Sequence, residues 1–143
     1  MGLRETINTP DMQTQLADDC AKLMDEQVAA KTGLGGLAIK AAYGALKGIG
    51  PGYVPRAIRN LMPNAIVAID PLWQEGVSVG DPVIHLTDNK SQAAEILLSV
   101  TDDKIAKANN KVVIATYNKL RKSVKGDVEA AVPGLASILR QYA

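Results

Sequence analysis

The 143-residue chain carries 16 basic and 15 acidic residues, and this +1 net charge gives no overall field to hold a polyanion, which argues against nucleic acid as a partner. With no Phe, one Trp, four Tyr and 47% hydrophobic residues, its core has to be aliphatic, which suits close-packed helices better than an aromatic-rich sandwich. Cys20 is the one cysteine, which excludes an internal disulfide and fits a reducing cytoplasmic compartment; no apolar run approaches the ~20 residues of a bilayer span.

The first residues, MGLRETINTPDM, hold Glu5, Pro10 and Asp11 and lack the apolar stretch of a secretory leader. Met1-Gly2 with Thr6 fits the loose myristoylation pattern, a match that chance readily supplies. A helix is predicted over residues 10–31, with Thr9 as its cap and Pro10 at a position that needs no amide hydrogen. Met12, Leu16, Cys20, Leu23, Met24 and Val28 fall on one arc, and Asp18, Asp19, Lys22, Asp25 and Glu26 on the other. Gly33 is placed to end this helix in a left-handed turn.

In the next segment Leu34, Leu37, Ala38, Ala41, Ala45 and Leu46 belong to a broad apolar face, while Lys40, Tyr43 and Lys47 lie together on the other side. Gly50-Pro51-Gly52 ends that helix. Over residues 54–73 the apolar pattern is helical, but Pro55, Pro63 and Pro71 are expected to cut it into short helices. Residues 76–86 read as a turn and a short helix, because an isolated strand there would have no partner. A helix follows from about Lys90, with a new start expected at Thr101-Asp102-Asp103 and a break at Asn109-Asn110. Val113, Tyr117, Leu120 and Val124 share one face of the next helix; the last runs over residues 128–142, with Pro133 as a kink or boundary. The fold expected is all-α, a compact bundle of about six to eight helices in one domain, residues 1–143.

Chemistry is sparse. One His and one Cys exclude every zinc spacing that needs paired ligands, and Asp18, Asp19, Asp25 and Glu26 read as a solvated helix face, so neither metal nor cofactor is expected. His85 lies between Asp81 and Asp88 with no nucleophile elbow near it, and Cys20 reads as a small core hydrophobe. The glycines of residues 33–52 match no phosphate-binding frame. Lys119, Arg121, Lys122 and Lys125 form the one basic cluster, at a position where a helix C-terminus favours cations.

Three features together resemble a small bacterial family known only as a domain of unknown function. They are an acidic first helix joined through Lys31-Thr32-Gly33-Leu34-Gly35-Gly36, a Gly50-Pro51-Gly52 turn, and the VEAAVPGL run that starts at Val128. The resemblance implies a bacterial, cytoplasmic, all-helical protein and brings no activity, ligand or catalytic residue with it.

The leading expectation is a non-enzymatic interaction module that contacts itself or another protein through Lys40, Tyr43 and Lys47, with Tyr53 and Trp73 as aromatic anchors. The alternative is a small-molecule binder or modest enzyme with a pocket near Trp73 and His85. A third reading is reversible membrane contact through residues 34–49, a segment with two lysines but no Trp or Phe anchor.

Overall fold

The computed structural model describes residues 2–50 and 52–143, apart from the side chains of residues 34 and 35. Pro51 of the expected turn, Met1 of the myristoylation pattern and the place of Leu34 on the apolar face therefore lie outside the described residues. Among the described residues there are eight helices and no strand, as an aliphatic sequence with helical periodicity requires. They are α1 (Leu3–Thr6), α2 (Pro10–Ala30), α3 (Gly33–Lys47), α4 (Tyr53–Val79), α5 (Pro82–Asp88), α6 (Lys90–Ala106), α7 (Lys111–Arg121) and α8 (Lys125–Tyr142).

Helix α4 is the central rod, and α1, α2, α3, α5 and α6 all touch it. It runs unbroken through Pro63 and Pro71, contrary to the expected division into short helices. Both prolines are exposed, as are Arg59 and Val67, so the carbonyls they leave without a helical donor can turn to water. Pro55 lies in the first turn, where its missing amide hydrogen costs nothing. Thr101-Asp102-Asp103 likewise starts no helix but lies inside α6, and Pro133 lies inside α8.

The caps explain the other boundaries. The Thr9 hydroxyl accepts from the Met12 amide at 3.2 Å, the Asp81 carboxylate from Val83 and Ile84, and the Asn110 side chain from Val112 and Val113. Helix α2 stops because Lys31 turns extended; Gly33, with φ +74°, takes the left-handed conformation at the start of α3 instead. The short α1 carries no periodic signal and was not expected. Leu3 and Ile7 are 0% and 1% exposed, and the Leu3 amide donates to the buried Asp70 carboxylate of α4 at 2.6 Å.

One continuous core joins α1, α2, α4, α5, α6 and α8 around Trp73, Leu16, Leu86 and Val132. Among the described residues, none from helices α3 and α7 belongs to it. They pack on each other beside it, with α3 also reaching α2 and α4.

Candidate functional site: an apolar interhelical cavity

The apolar arc of α2 divides into two parts. Leu16 and Ala17 enter the core, but Leu23, Met24 and Val28, further along the same arc, face a cavity of about 370 Å³. Ile58, Leu61 and Ile66 of α4 form a second wall, and Val128, Ala131 and Leu135 of α8 a third. Ile39, Tyr43 and Leu46 of α3 and Leu120 of α7 line it from another side, and the space stays partly open to solvent. The wall is almost wholly aliphatic.

The cavity's lining on α2 runs from Leu16 to Val28, twelve steps of 1.5 Å or about 18 Å of helix, and on to Lys31 just past the helix end. Helix α8 lies antiparallel to α2: the Tyr142 hydroxyl donates to Asp19, and Lys31 pairs with Asp127 at 3.0 Å. Leu16, Ile69 and Leu139, at 0%, 3% and 3% exposure, therefore mark a closed end, whereas the half-buried Lys31 and Asp127 mark a polar rim.

Helix α3 is held over the cavity by Asp25 of α2. The Tyr43 hydroxyl donates to Asp25, and Lys47 pairs with it at 3.2 Å while standing 5.0 Å from the Tyr43 ring centre. The Tyr43 hydrogen bond first, and Lys47 after it, hold the Asp25 carboxyl below its ordinary range against the desolvation that opposes them. A matching clamp ties α7 to α6. Arg121 donates to Asp102 at 2.9 Å and the Tyr117 hydroxyl donates to the same carboxylate, so that Arg121 above all keeps Asp102 low.

Cys20 lines the cavity as a half-buried thiol, and burial pushes it up to about 12, which keeps it protonated and unreactive. Thr101 also faces the cavity, with its hydroxyl engaged by the Leu98 carbonyl and Tyr117. Among the described residues no three His, Cys, Asp or Glu side chains gather where they could hold a metal ion.

The residues singled out from the sequence are scattered over three places. Tyr43, Lys47 and Tyr53 do come together, with Asp25, around a second cleft of about 310 Å³. Lys40 is exposed on α3 and lines neither space. Tyr43 is not on an open polar face: it is 8% exposed, and the rotation of α3 that buries it leaves Leu37 65% exposed together with Ala38, Ala41 and Ala45. Trp73 is 2% exposed at the heart of the core, so it is no surface anchor.

His85 stands near Glu75 at 3.5 Å, its Nε2 buried and without a hydrogen-bond partner among the described residues, and neither it nor Trp73 lines the cavity. The sequence did hold the cavity residues, as apolar faces. What it lacked was any sign that those faces stand apart.

No curated protein matches this chain, and no solved structure matches it. A family model does match, over residues 3–143, and the chain belongs to that family of unknown function, DUF6918.

Proposed function

We propose that the protein is a non-enzymatic binder of aliphatic molecules, which it takes up in the interhelical cavity. The observation that carries this reading is the combination of size and wall. A cavity of about 370 Å³ lies within the range of small-molecule sites, roughly 300–1,000 Å³. Water is a poor filler for an aliphatic wall, whereas an apolar guest restores the missing contacts. The protonated Cys20 and the occupied Thr101 hydroxyl add no reactive group, which favours carriage or sensing over catalysis. The lone, unbridged cysteine is compatible with residence in a bacterial cytoplasm.

Filling the cavity tests the reading. Ala65 and Ala131 both line it, so Ala65→Leu with Ala131→Leu should occupy its middle with side chain. The expected outcome is loss of binding of the uncharged fluorescent probe N-phenyl-1-naphthylamine, with folding stability unchanged or raised by about 0.5–2 kcal/mol. Native mass spectrometry of protein purified without detergent should show extra non-protein mass that the double variant lacks. Equal probe binding by both proteins would overturn the reading.

A second reading, contact with another protein or a second copy, draws support from the outward face of α3, where Leu37 stands 65% exposed beside Ala38, Ala41 and Ala45. Leu37→Asp should then lower the assembly mass in sedimentation; a monomer before and after the change would remove it. Among the described residues no helix is long and apolar enough to cross a membrane.

A further inference from the structure

The net charge of +1 hides a strong asymmetry along the chain. Residues 27–69 hold five bases and residues 104–126 seven, and neither run contains an acid, so twelve of the 16 bases lie apart from all 15 acids in sequence. The two runs supply α3 and α7, the helices that pack on each other beside the core. Folding therefore joins two basic runs that the sequence keeps apart.

Four of the twelve, Lys31, Lys47, Arg121 and Lys125, are paired with Asp127, Asp25, Asp102 and Glu95 on neighbouring segments. The other eight are all exposed and make no ion pair among the described residues. Unpaired surface cations raise the local potential and draw an anionic partner.

The outward arc of α3 adds an apolar element. Leu37, Ala38, Ala41, Gly44 and Ala45 are exposed and uncharged, Leu37 at 65%, and Lys40 and Lys47 stand along one edge of that arc. The exposed arc of α7 carries Lys111, Lys119 and Val112, the last 53% exposed. Apolar side chains among unpaired cations match both layers of an anionic lipid surface, the headgroups for the bases and the acyl boundary for Leu37 and Val112. A nucleic acid would use the charge but leave Leu37 in water, and no aromatic ring stands on either arc to stack a base.

We propose that the adjoining outward faces of α3 and α7 dock reversibly on an anionic lipid bilayer. The inner side of α3 lines the cavity with Ile39 and Leu46, so docking brings a cavity wall to the membrane, where aliphatic guests reside. That last link rests on the cavity reading; docking itself does not.

Co-sedimentation with vesicles of phosphatidylglycerol and phosphatidylcholine tests the docking. The native protein should pellet with them at about 20 mM salt, stay in solution with pure phosphatidylcholine, and be released at about 0.5 M salt. Lys111→Gln with Lys119→Gln should weaken binding about 25-fold, at roughly fivefold per lysine. Lys22→Gln with Lys90→Gln removes the same charge at exposed positions outside the two basic runs and should change binding less than about twofold. Leu37→Gln should weaken it about fivefold or more.

Absence of binding to the anionic vesicles would overturn the proposal, as would an equal loss in the two lysine pairs. Unchanged binding by Leu37→Gln would mean that the bases act alone, as toward a soluble polyanion, and would overturn it too. A change of assembly mass in Leu37→Gln without vesicle binding would assign the face to a protein contact instead. The cavity-filled Ala65→Leu, Ala131→Leu protein should pellet as the native one does, so failure of the docking and failure of the cavity reading are seen separately.

Discussion

The two halves of the molecule use the same kind of helix to opposite ends. Around Trp73 the packing is tight: a Cβ added at Gly76 would stand 2.5 Å from the Pro82 Cα, so α4 and α5 meet backbone to backbone. Around the cavity, a Cβ added at Gly134 would meet only the Leu23 side chain, at 2.7 Å from its Cδ1, and Leu23 borders open space into which it can turn. In the packed half, apolar faces find one another and specify the fold. In the hollow half, equally apolar faces stand apart, while Asp25 ties Tyr43 and Lys47 of α3 to α2 and Asp102 ties Tyr117 and Arg121 of α7 to α6. The space for a guest lies against the packed core and shares Leu16, Ile66, Ile69 and Leu139 with it.

The largest test of that contrast is one substitution made in both halves. Leu86→Ala, in a side chain 0% exposed in the core, should cost about 3–5 kcal/mol in urea unfolding. Leu46→Ala, on the cavity wall, should cost only about 1–2 kcal/mol because no close-packed shell is lost. Equal costs would mean that the hollow half is packed as tightly as the core.

Adding a methyl group sharpens the contrast. Gly76→Ala should destabilise by about 1–3 kcal/mol, since Pro82 backbone cannot yield without moving α5. Gly134→Ala should stay within about 0.5 kcal/mol and reduce probe binding instead, as Leu23 moves inward. A reversed order would break the assignment of rigid and yielding halves.

The smallest effect expected is acid loosening of the hollow half alone. The folded protein holds Asp25 and Asp102 below their ordinary 3.8, so their contribution is complete above 3.8 and is lost as pH falls through the lower folded values. Both carboxylates are on clamps of α3 and α7. Hydrogen exchange compared at about pH 6 and about pH 3, corrected for the intrinsic rates, should show α3 and α7 opening before α4 and α5. Uniform protection at both values would show that the clamps do not govern the opening of these helices.

Most of the helices could be read from residue order because their signals are local. Thr9-Pro10 starts α2, Asn110 starts α7, and the arc from Met12 to Val28 repeats at the helical period. Pro63 and Pro71 misled because proline's local preference is to break a helix, and that preference is overridden when the helix around it is buried on its opposite face. The four residues of α1 escaped notice because their order comes from a contact 67 positions away, the Asp70 carboxylate on the Leu3 amide. Tyr43 looked like part of an open polar face because Lys40 and Lys47 flank it at helical spacing; its hydroxyl in fact reaches Asp25, a partner on another helix.

The amino-acid order alone thus determined the helical class, the main helix starts and the aliphatic nature of whatever the helices enclose. Tertiary structure alone decided that Trp73 belongs to the packed core, that α3 exposes Leu37, and that Lys31 meets Asp127 at the rim of a cavity. The reason is physical: periodicity says which side of a helix avoids water, but not how far away the next helix stands. That distance is set by side chains and clamps from the whole chain at once.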